Sequence, residues 1–257
     1  MNKQKYICGI LGYPLHKPRS IKIWKKYFNK NKINSSMNKY EIKPNVLKKF
    51  FKTEVRKNNF LAMAVTMPYK KKILKYLDYL DSYAAKANSV NLVIKKSNSL
   101  KGYNTDIYGA ISTIRNQINL YKYIIIIGMG GTGQAIFNYM RLTFKKKNYY
   151  IVTSKNKFKN IKKTKVFKKL NKNILKKKCL IINCTPLGSS LKKSLSNKTP
   201  ILKKNFSYIN DKSFIFDIIY SPKKTLLSKL AKKFKIKFIN GIKMNSLQAE
   251  RALKIVF

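Results

Sequence analysis

Acidic residues are scarce in this chain: 8 Asp and Glu stand against 58 Lys and Arg among 257 residues, for a formal net charge of +50. Nucleic acid or another anionic surface would attract such a charge. The lysines, however, are spread over every segment and form no single stripe or tail. That distribution favours a general drift toward Lys, Asn, Ile and Tyr, whose codons are rich in A and T. We therefore expect no nucleic-acid partner, although this surface would bind polyanions weakly.

Histidine and cysteine are few as well. The one histidine, His16, allows a histidine general base at a single position, and no Ser–His–acid set has a local signature. The three cysteines, Cys8, Cys179 and Cys184, lack the spacing of metal ligands and lie in or beside apolar runs. We expect them to be small core residues rather than ligands or disulfides, and we expect no metal.

Long apolar runs are missing too. None is long enough to span a bilayer. The apolar stretch after the basic N-terminus is broken by Gly and Pro, which is typical of a strand rather than a signal peptide. We therefore expect a cytoplasmic protein, with enough residues for two small domains or one large one.

The clearest pattern that is present is a strand followed by a glycine-rich turn and a helix. Four isoleucines ending at Ile127 predict a buried strand, and residues 134–142 have a helical pattern. Between them Gly128, Gly130 and Gly133 have the G-x-G-x-x-G spacing of a dinucleotide site. The first glycine makes the tight turn, the second lets the backbone approach a pyrophosphate, and the third lets helix and strand pack closely. The alternative is an ordinary turn between a strand and a helix.

The distribution of acids also bears on the cofactor. No Asp or Glu occurs between Ile107 and Asn210. The chain therefore lacks the carboxylate that NAD-preferring folds place on the ribose, about twenty residues after the glycines. At that place Lys155 offers a cation to a 2′-phosphate, which predicts NADP. Lysine is common throughout the chain, so composition accounts for part of this pattern.

Strand and helix patterns alternate along the chain and predict two α/β units, the second beginning near Ile107. Such alternation predicts parallel sheets in both units. We expect a helix that continues from Lys70 to Leu80, and a mobile loop over Lys192–Lys204. The strand that begins at Leu180 is the third or fourth of its unit. We expect the chain to divide into three parts, residues 1–106, 107–240 and 241–257.

Because acids are so few, the position of each is informative. Asp106 ends a strand-like run at the boundary between the two units, and ligands bind at such boundaries and at the carboxyl ends of strands. Asp106 would also serve as a helix N-cap, and the two roles are compatible. Lys70 likewise follows a predicted strand end, although by composition alone it would count as one more surface lysine.

A set of short segments is distributed in order over nearly the whole chain. The segments are Gly12-Tyr-Pro14, Ala64-Val-Thr-Met-Pro-Tyr-Lys70, Val90-Asn91, Asn104-Thr-Asp106, Gly128-Met-Gly-Gly-Thr132, Ser154-Lys-Asn-Lys-Phe-Lys159, Asn183-Cys-Thr-Pro-Leu-Gly188, Asp217-Ile-Ile-Tyr-Ser-Pro-Lys-Lys-Thr225 and Gly241-Ile-Lys-Met-Asn-Ser-Leu-Gln-Ala249. In this order they resemble the shikimate dehydrogenase family, NADP-dependent enzymes of aromatic amino acid synthesis, and their sum is more specific than any one of them.

The resemblance implies an α/β enzyme with an N-terminal substrate domain, a Rossmann-type NADP-binding domain and a C-terminal helix that returns to the first domain. Its reaction would be the reversible NADPH-dependent reduction of 3-dehydroshikimate to shikimate, on the route to chorismate, by a monomer or homodimer. Lys70 and Asp106 would be the catalytic pair. The residues expected at the substrate are Ser20, Thr66, Asn91, Asp106, Tyr220 and Gln248. Those expected at the cofactor are Gly128, Met129, Gly130, Gly131, Thr132, Ser154, Lys155, Asn156, Lys159, Ile218 and Gly241.

The chain departs from the family pattern at a few places. Pro18 stands where the family usually has a serine for the substrate carboxylate, and Arg19 beside it would supply a charge-assisted contact instead. The family's arginine after the second nucleotide-domain strand is Lys155, a point charge rather than a bidentate fork. Two alternatives therefore stay open. One is a quinate or broader polyol dehydrogenase of the same family, and the other is a non-catalytic nucleotide- or nucleic-acid-binding protein.

Overall fold

The computed structural model describes residues 5–15, 18–154, 161–190 and 193–257, which form two compact units. One unit consists of Met1–Tyr108 and Leu247–Phe257, and the other of Gly109–Ser246. The strands are β1 (Tyr6–Gly12), β2 (Ser35–Glu41), β3 (Phe60–Val65), β4 (Tyr79–Leu80), β5 (Leu92–Lys96), β6 (Ser99–Tyr103), β7 (Tyr123–Ile127), β8 (Asn148–Val152), β9 (Thr164–Phe167), β10 (Cys179–Asn183), β11 (Phe214–Asp217) and β12 (Lys237–Ile239). The α-helices are α1 (Arg19–Lys30), α2 (Leu47–Lys52), α3 (Tyr69–Lys72), α4 (Ser82–Ala87), α5 (Thr105–Ile118), α6 (Gly131–Thr143), α7 (Lys172–Leu175), α8 (Lys193–Ser196), α9 (Leu226–Lys233) and α10 (Ile242–Val256). Short 3₁₀ helices lie at Pro44–Val46, Glu54–Arg56, Leu74–Tyr76 and Lys203–Tyr208.

The first unit contains a mixed sheet with the strand order β2-β1-β3-β5-β6-β4. Strands β1, β2 and β3 are parallel, whereas β5 is antiparallel to both β3 and β6. The prediction of a parallel sheet in this unit is therefore wrong. The cause is a hairpin: Lys96 pairs with Ser99, so a two-residue turn joins β5 to β6, and Ser97 takes φ 54° there. A turn that short reverses the chain and forces antiparallel pairing.

The predicted helix from Lys70 to Leu80 is also wrong. Helix α3 ends at Lys72, one 3₁₀ turn follows, and Tyr79–Leu80 is a strand. Asp78 explains the change, because its backbone N–H donates to the Leu100 carbonyl and its carboxylate accepts from the Leu100 N–H. These two bonds tie the chain to β6 in an extended form.

Both faces of this sheet are covered, because alternate side chains of β1 face opposite ways. Cys8 and Ile10 pack in one apolar cluster with Trp24 of α1. Leu11 packs in the other with Phe50 of α2. The site residues of this unit therefore stand on a sheet held from both sides.

The second unit contains a parallel sheet with the order β12-β11-β10-β7-β8-β9, so the predicted parallel sheet is confirmed here. The order reverses between β7 and β10, where doubly wound folds bind their ligands. Strand β10, which contains Leu180, is the fourth, because Thr164–Phe167 forms β9. Ile124 to Ile127 are all at most 4% exposed, as a central strand covered on both faces requires. The described part of the stretch predicted as a loop contains α8.

The three cysteines are buried and unbridged, as expected of core residues. Within the described ranges, no group of three or more His, Cys, Asp or Glu is placed to hold a metal ion. Among the same residues, no helix combines the length and apolarity needed to cross a membrane.

Candidate active site

The first unit brings Lys70 and Asp106 together. Lys70 is the second residue of α3, which follows β3, and Asp106 is the second residue of α5, which follows β6. The Lys70 Nζ lies 2.5 Å from the Asp106 Oδ2, and the two side chains are 29% and 23% exposed. The Val90 N–H donates to the Lys70 carbonyl at 2.7 Å, which fixes α3 against the start of β5. The pair is held in place yet open to a ligand.

The N-cap of α5 is Asn104 and not Asp106. The Asn104 Oδ1 accepts from the Ile107 N–H at 3.0 Å, and its Nδ2 donates to the Ser89 carbonyl at 2.7 Å. The capping role considered for Asp106 is therefore wrong. Its carboxylate is left to face Lys70.

A buried polar network lies immediately before Asp106. The Asn91 Oδ1 accepts from the Thr105 N–H at 2.8 Å, and the Asn91 Nδ2 donates to the Thr105 Oγ1 at 2.9 Å. The Thr105 hydroxyl also lies 3.4 Å from the Gln248 Oε1 on α10. Asn91 and Gln248, both predicted at the substrate, thus meet at the residue that precedes the carboxylate. Asn91 uses both its amide atoms on Thr105, so it orients the start of α5.

Thr66 and Ser20 lie after two neighbouring parallel strands, β3 and β1, whose carboxyl ends share one edge of the sheet. The Thr66 N–H donates to the Leu11 carbonyl at 2.9 Å. A Cβ at Gly12 would come within 2.6 Å of the Thr66 Cγ2, so only glycine lets the two strand ends approach in this way. Ser20 is the second residue of α1 and is half-buried. His16 lies outside the described residues.

In the second unit the glycine turn has the geometry that its spacing predicts. Gly128 has φ +90°, in the region that favours glycine, and its N–H donates to the Val152 carbonyl at 2.9 Å. A Cβ at Gly133 would collide with the Gly128 carbonyl oxygen. Gly130 and Gly131, by contrast, are exposed, and a Cβ there would meet nothing within 4 Å.

This arrangement fits a dinucleotide pyrophosphate. Gly130 and Gly131 form the start of α6, a 13-residue helix whose first N–H groups and dipole favour an anion. Open backbone at that point is what a close-lying phosphate requires. Met129 and Thr132 complete the turn, Met129 being buried with its carbonyl bonded to the Gln134 side chain.

The other predicted cofactor residues divide into two groups. Ser154 is exposed just beyond β8, while Lys155, Asn156 and Lys159 lie outside the described residues. Ile218 and Gly241 are in contact, since a Cβ at Gly241 would collide with the Ile218 carbonyl oxygen. Tyr220, two residues after Ile218, is 36% exposed.

Comparison with known proteins decides the family. Residues 10–93 match the model of the shikimate dehydrogenase substrate binding domain. A protein of Clostridium botulinum named NADP-dependent shikimate dehydrogenase is 33% identical over 254 residues, covering 96% of this chain and 95% of its own length. A protein of the same name from Thermoplasma acidophilum is 30% identical, with 98% and 90% covered. This chain belongs to the shikimate dehydrogenase family.

Solved structures of the shikimate dehydrogenase family agree in fold. The enzyme of Aquifex aeolicus superposes with a TM-score of 0.80 at 26% identity, covering all of this chain and 94% of that one. A chorismate mutase/shikimate 5-dehydrogenase fusion protein of Clostridium acetobutylicum gives 0.81 at 27% identity, with 98% and 91% covered. A shikimate dehydrogenase in complex with NADP⁺ gives 0.74 at 25% identity, with 98% and 89% covered. The predicted two-domain α/β class is therefore confirmed.

One polar network of this shikimate dehydrogenase family member has no counterpart in the sequence predictions. Asp217, at the end of β11, is fully buried and accepts hydrogen bonds from Asn183, Thr225 and the backbone of Ile219. Burial raises the pKa of Asp217 to about 6, against these hydrogen bonds, which lower it. The sequence signal was available, since Asn183, Asp217 and Thr225 all stand in segments that resemble the family, but the pattern does not say that they touch.

Proposed function

We propose that this chain catalyses the reversible NADPH-dependent reduction of 3-dehydroshikimate to shikimate, a step toward chorismate and the aromatic amino acids. The observation that carries the proposal is the Lys70–Asp106 pair, held beside the buried Asn91–Thr105 network in a chain of the shikimate dehydrogenase family. Reduction of a ketone needs a hydride donor and a proton donor. When bound, NADPH supplies the hydride to the carbonyl carbon.

Lys70 is the proton donor in this mechanism. Its ammonium gives one proton to the oxygen of the substrate carbonyl as that carbon gains its new C–H bond, so the oxygen becomes a hydroxyl and Lys70 becomes a neutral amine. The amine then regains a proton from solvent, to which the partly exposed pair has access. In the direction of shikimate oxidation, the neutral Lys70 amine accepts the hydroxyl proton.

Asp106 orients Lys70 and binds substrate. One carboxylate oxygen, Oδ2, accepts from the Lys70 ammonium, and the other has acceptor capacity for a substrate hydroxyl. Thr105 cannot turn away without breaking its bonds to Asn91. The Asp106 carboxylate is therefore held in one orientation, in which it faces both Lys70 and the substrate.

The remaining contacts follow from chemistry at each position. Ser20 and Thr66 offer hydroxyls beside the shared strand edge, with Arg19 as a cation for the substrate carboxylate. Gln248 and Tyr220 offer an amide and a phenol for the ring hydroxyls. At the cofactor, the backbone from Gly128 to Thr132 would hold the pyrophosphate, Ser154, Lys155, Asn156 and Lys159 the 2′-phosphate side, and Ile218 with Gly241 the nicotinamide side.

One assay tests the proposal: purified protein with shikimate and NADP should produce NADPH at a rate proportional to enzyme. Quinate should be tried in parallel, because Pro18 replaces a serine at the expected carboxylate contact. Turnover of quinate at a kcat/KM equal to that for shikimate would favour the polyol dehydrogenase alternative. No turnover of either would refute the proposed function.

The net charge of +50 supports one further candidate, a non-catalytic protein that binds nucleic acid. A tight complex with single- or double-stranded DNA whose affinity falls steeply with salt, together with no NADPH production, would favour it. We expect instead weak binding that is lost near physiological salt. We also propose a cytoplasmic monomer or homodimer, which sedimentation at several concentrations would distinguish.

A further inference from the structure

Asp217 is fully buried, and within the described ranges no Lys or Arg forms an ion pair with it. Cations are abundant in this chain, yet the carboxylate is held by hydrogen bonds from neutral groups. Burial of a carboxylate without a cation is costly, and here it raises the pKa of Asp217 to about 6. An acid kept at the expense of stability points to a functional role.

The contacts of Asp217 suit an ionised carboxylate. Its Oδ1 accepts from the Asn183 Nδ2 at 2.9 Å and from the Ile219 N–H at 3.1 Å, and its Oδ2 accepts from the Thr225 hydroxyl at 3.1 Å. All three partners donate. Only a carboxylate presents two oxygens that both accept without donating.

One branch of this network reaches the glycine turn. The Asn183 Oδ1 accepts from the Thr185 N–H at 2.9 Å and from the Thr185 hydroxyl at 2.7 Å. The Thr185 methyl group in turn lies 2.6 Å from where a Cβ at Gly128 would stand. Asp217 fixes Asn183, Asn183 fixes Thr185, and Thr185 forms the wall behind Gly128.

A second branch holds the segment after β11. The bond from the Ile219 N–H sets the direction of the backbone between Ile218 and Tyr220. Thr225 also accepts from the Ser228 N–H at 3.1 Å, so it caps α9 while it binds the carboxylate. Asp217 thus anchors the turn after β11 through the Ile219 N–H, and it anchors α9 through the Thr225 side chain.

We propose that Asp217 is a positioning residue, whose ionised carboxylate holds the glycine turn and the Ile218–Tyr220 segment in the arrangement that binds NADP(H). This role rests on the proposed function and adds a residue to it. Asp217 acts through Asn183, Thr185 and the Ile219 backbone. It is not itself expected to touch the cofactor.

Asp217 is the group whose titration would change this hydrogen-bond network. Among the described residues, the Cys184 thiol, just beyond β10, also faces Asp217; burial raises the pKa of Cys184, so the thiol stays neutral. Asn183, Thr225 and the Ile219 backbone carry no charge. Protonation of Asp217 would require one of its three donors to turn away.

The first test compares Asp217→Asn with Asp211→Asn, which removes the same charge from an exposed position in the same unit. Asparagine offers one accepting oxygen and an NH₂ group, so Thr225 or Asn183 must turn. By titration calorimetry of the full chain at pH 8, Asp217→Asn should bind NADP at least about tenfold more weakly, one decade of affinity. Asp211→Asn should bind it as the unmodified protein does.

The unfolding midpoint separates positioning from a purely structural role. Because a buried charge is removed, the midpoint of Asp217→Asn at pH 8 should be equal to or above that of the unmodified protein. Unchanged NADP affinity with a lowered midpoint would make Asp217 structural only and would overturn the proposal. If Asp217→Asn does not fold, Thr225→Val serves in its place, with Thr225→Ser as the conservative variant that should restore NADP affinity.

The pH dependence gives an independent readout. Between pH 8 and pH 5 the NADP affinity of the unmodified protein should fall more steeply than that of Asp217→Asn. The 2′-phosphate of NADP titrates near pH 6 with either protein. The effect of Asp217 is therefore the difference between the two slopes of NADP affinity against pH. Equal slopes would contradict a requirement for the ionised form.

Failure of the proposed function would look different. If the unmodified protein does not bind NADP, the proposed function is refuted and amide hydrogen exchange decides the positioning role. Amides of residues 218–225 should then exchange faster in Asp217→Asn than in Asp211→Asn. Equal exchange would overturn the proposal.

Discussion

The ammonium of Lys70 and the carboxylate of Asp106 lie 2.5 Å apart although 36 positions separate them in the chain. Two other ion pairs, Lys39–Glu41 and Lys57–Glu54, join near neighbours on the surface. Such local pairs form wherever the sequence places opposite charges close together. The Lys70–Asp106 pair exists only because β3, β5 and β6 are adjacent in one sheet.

Replacing Lys70 by Met removes the proton donor and keeps the apolar stem. We expect kcat to fall by at least about a hundredfold, the usual contribution of a positioned acid–base group, with NADP affinity little changed. Steady-state kinetics would measure the first and calorimetry the second. Lys72→Met, on the same short helix and exposed, is the control and should retain full activity. Near-normal turnover of Lys70→Met would place the proton donor elsewhere, with Tyr220 the next candidate.

Replacing Asp106 by Asn keeps the shape and removes the charge that faces Lys70. Turnover should fall, because the Lys70 ammonium loses the carboxylate that orients it. The double variant with Lys70→Met should be far less impaired than the product of the two single losses, because the residues act as one unit. Losses that multiply in full would show that the two side chains work independently.

Lys155 should decide the choice of cofactor. The unmodified protein should prefer NADP over NAD by at least about tenfold, which corresponds to 1.4 kcal/mol for one phosphate contact. Lys155→Ala should raise the KM for NADP and leave the KM for NAD nearly unchanged. Lys165→Ala, on the exposed side of β9, should change neither. Equal use of both cofactors by the unmodified protein would contradict this prediction.

Alanine should have different effects at two glycines of the same turn: at one it should lower the stability, and at the other it should weaken NADP binding. In Gly133→Ala the new methyl group collides with the Gly128 carbonyl, so we expect a loss of about 1–3 kcal/mol in the free energy of unfolding, as for an overpacked core. In Gly131→Ala the methyl group meets nothing within 4 Å, and alanine favours the helix, so the stability should be retained. Because that methyl group occupies the space expected for the pyrophosphate, Gly131→Ala should still weaken NADP binding. Urea unfolding and calorimetry would separate the two effects.

Asp217 should leave a signature in the pH dependence of stability. Its pKa is about 6 in the folded chain against an ordinary value of 3.8, so the folded state binds more protons between these values. The Asp217 carboxyl therefore contributes favourably to the free energy of unfolding below pH 4. This contribution, on the order of 3 kcal/mol, is lost as the pH rises through 6. Relative to Asp217→Asn, the unmodified protein should lose stability between pH 4 and pH 7 in urea unfolding. Parallel curves for the two proteins would contradict the raised pKa.

Much of the second unit was predictable from local pattern. The four isoleucines before Gly128, the glycine spacing and the helix that follows lie within one stretch of chain, and each carries its own signal. Lys70 and Asp106 were found for a related reason, since each stands in a short segment typical of the family. Whether these candidate residues carry their proposed roles stays a prediction.

The predictions that were wrong, and the network that was missed, concern parts of the structure that are set by contacts between residues distant in the sequence. The hairpin of β5 and β6 turns at Ser97 and Asn98, which are common turn residues, but it lacks the Asn-Gly or Asp-Gly pair that most strongly predicts a hairpin. Strand β4 is set by two bonds between Asp78 and Leu100 that outweigh a helical pattern. The partners of Asp217 stand 34 and 8 positions away, and no periodicity brings them together.

The first unit is discontinuous, since its last residues follow the whole of the second unit. Phe257 packs its ring against Trp24 and Phe28 of α1, with ring centroids 6.4 and 5.6 Å apart. During synthesis from the N-terminus, these two rings leave the ribosome before the whole of the second unit, and their partner ring follows that unit. Gln248, which touches Thr105, arrives as late. The first unit, although encoded first, is therefore completed only after the second unit has been made.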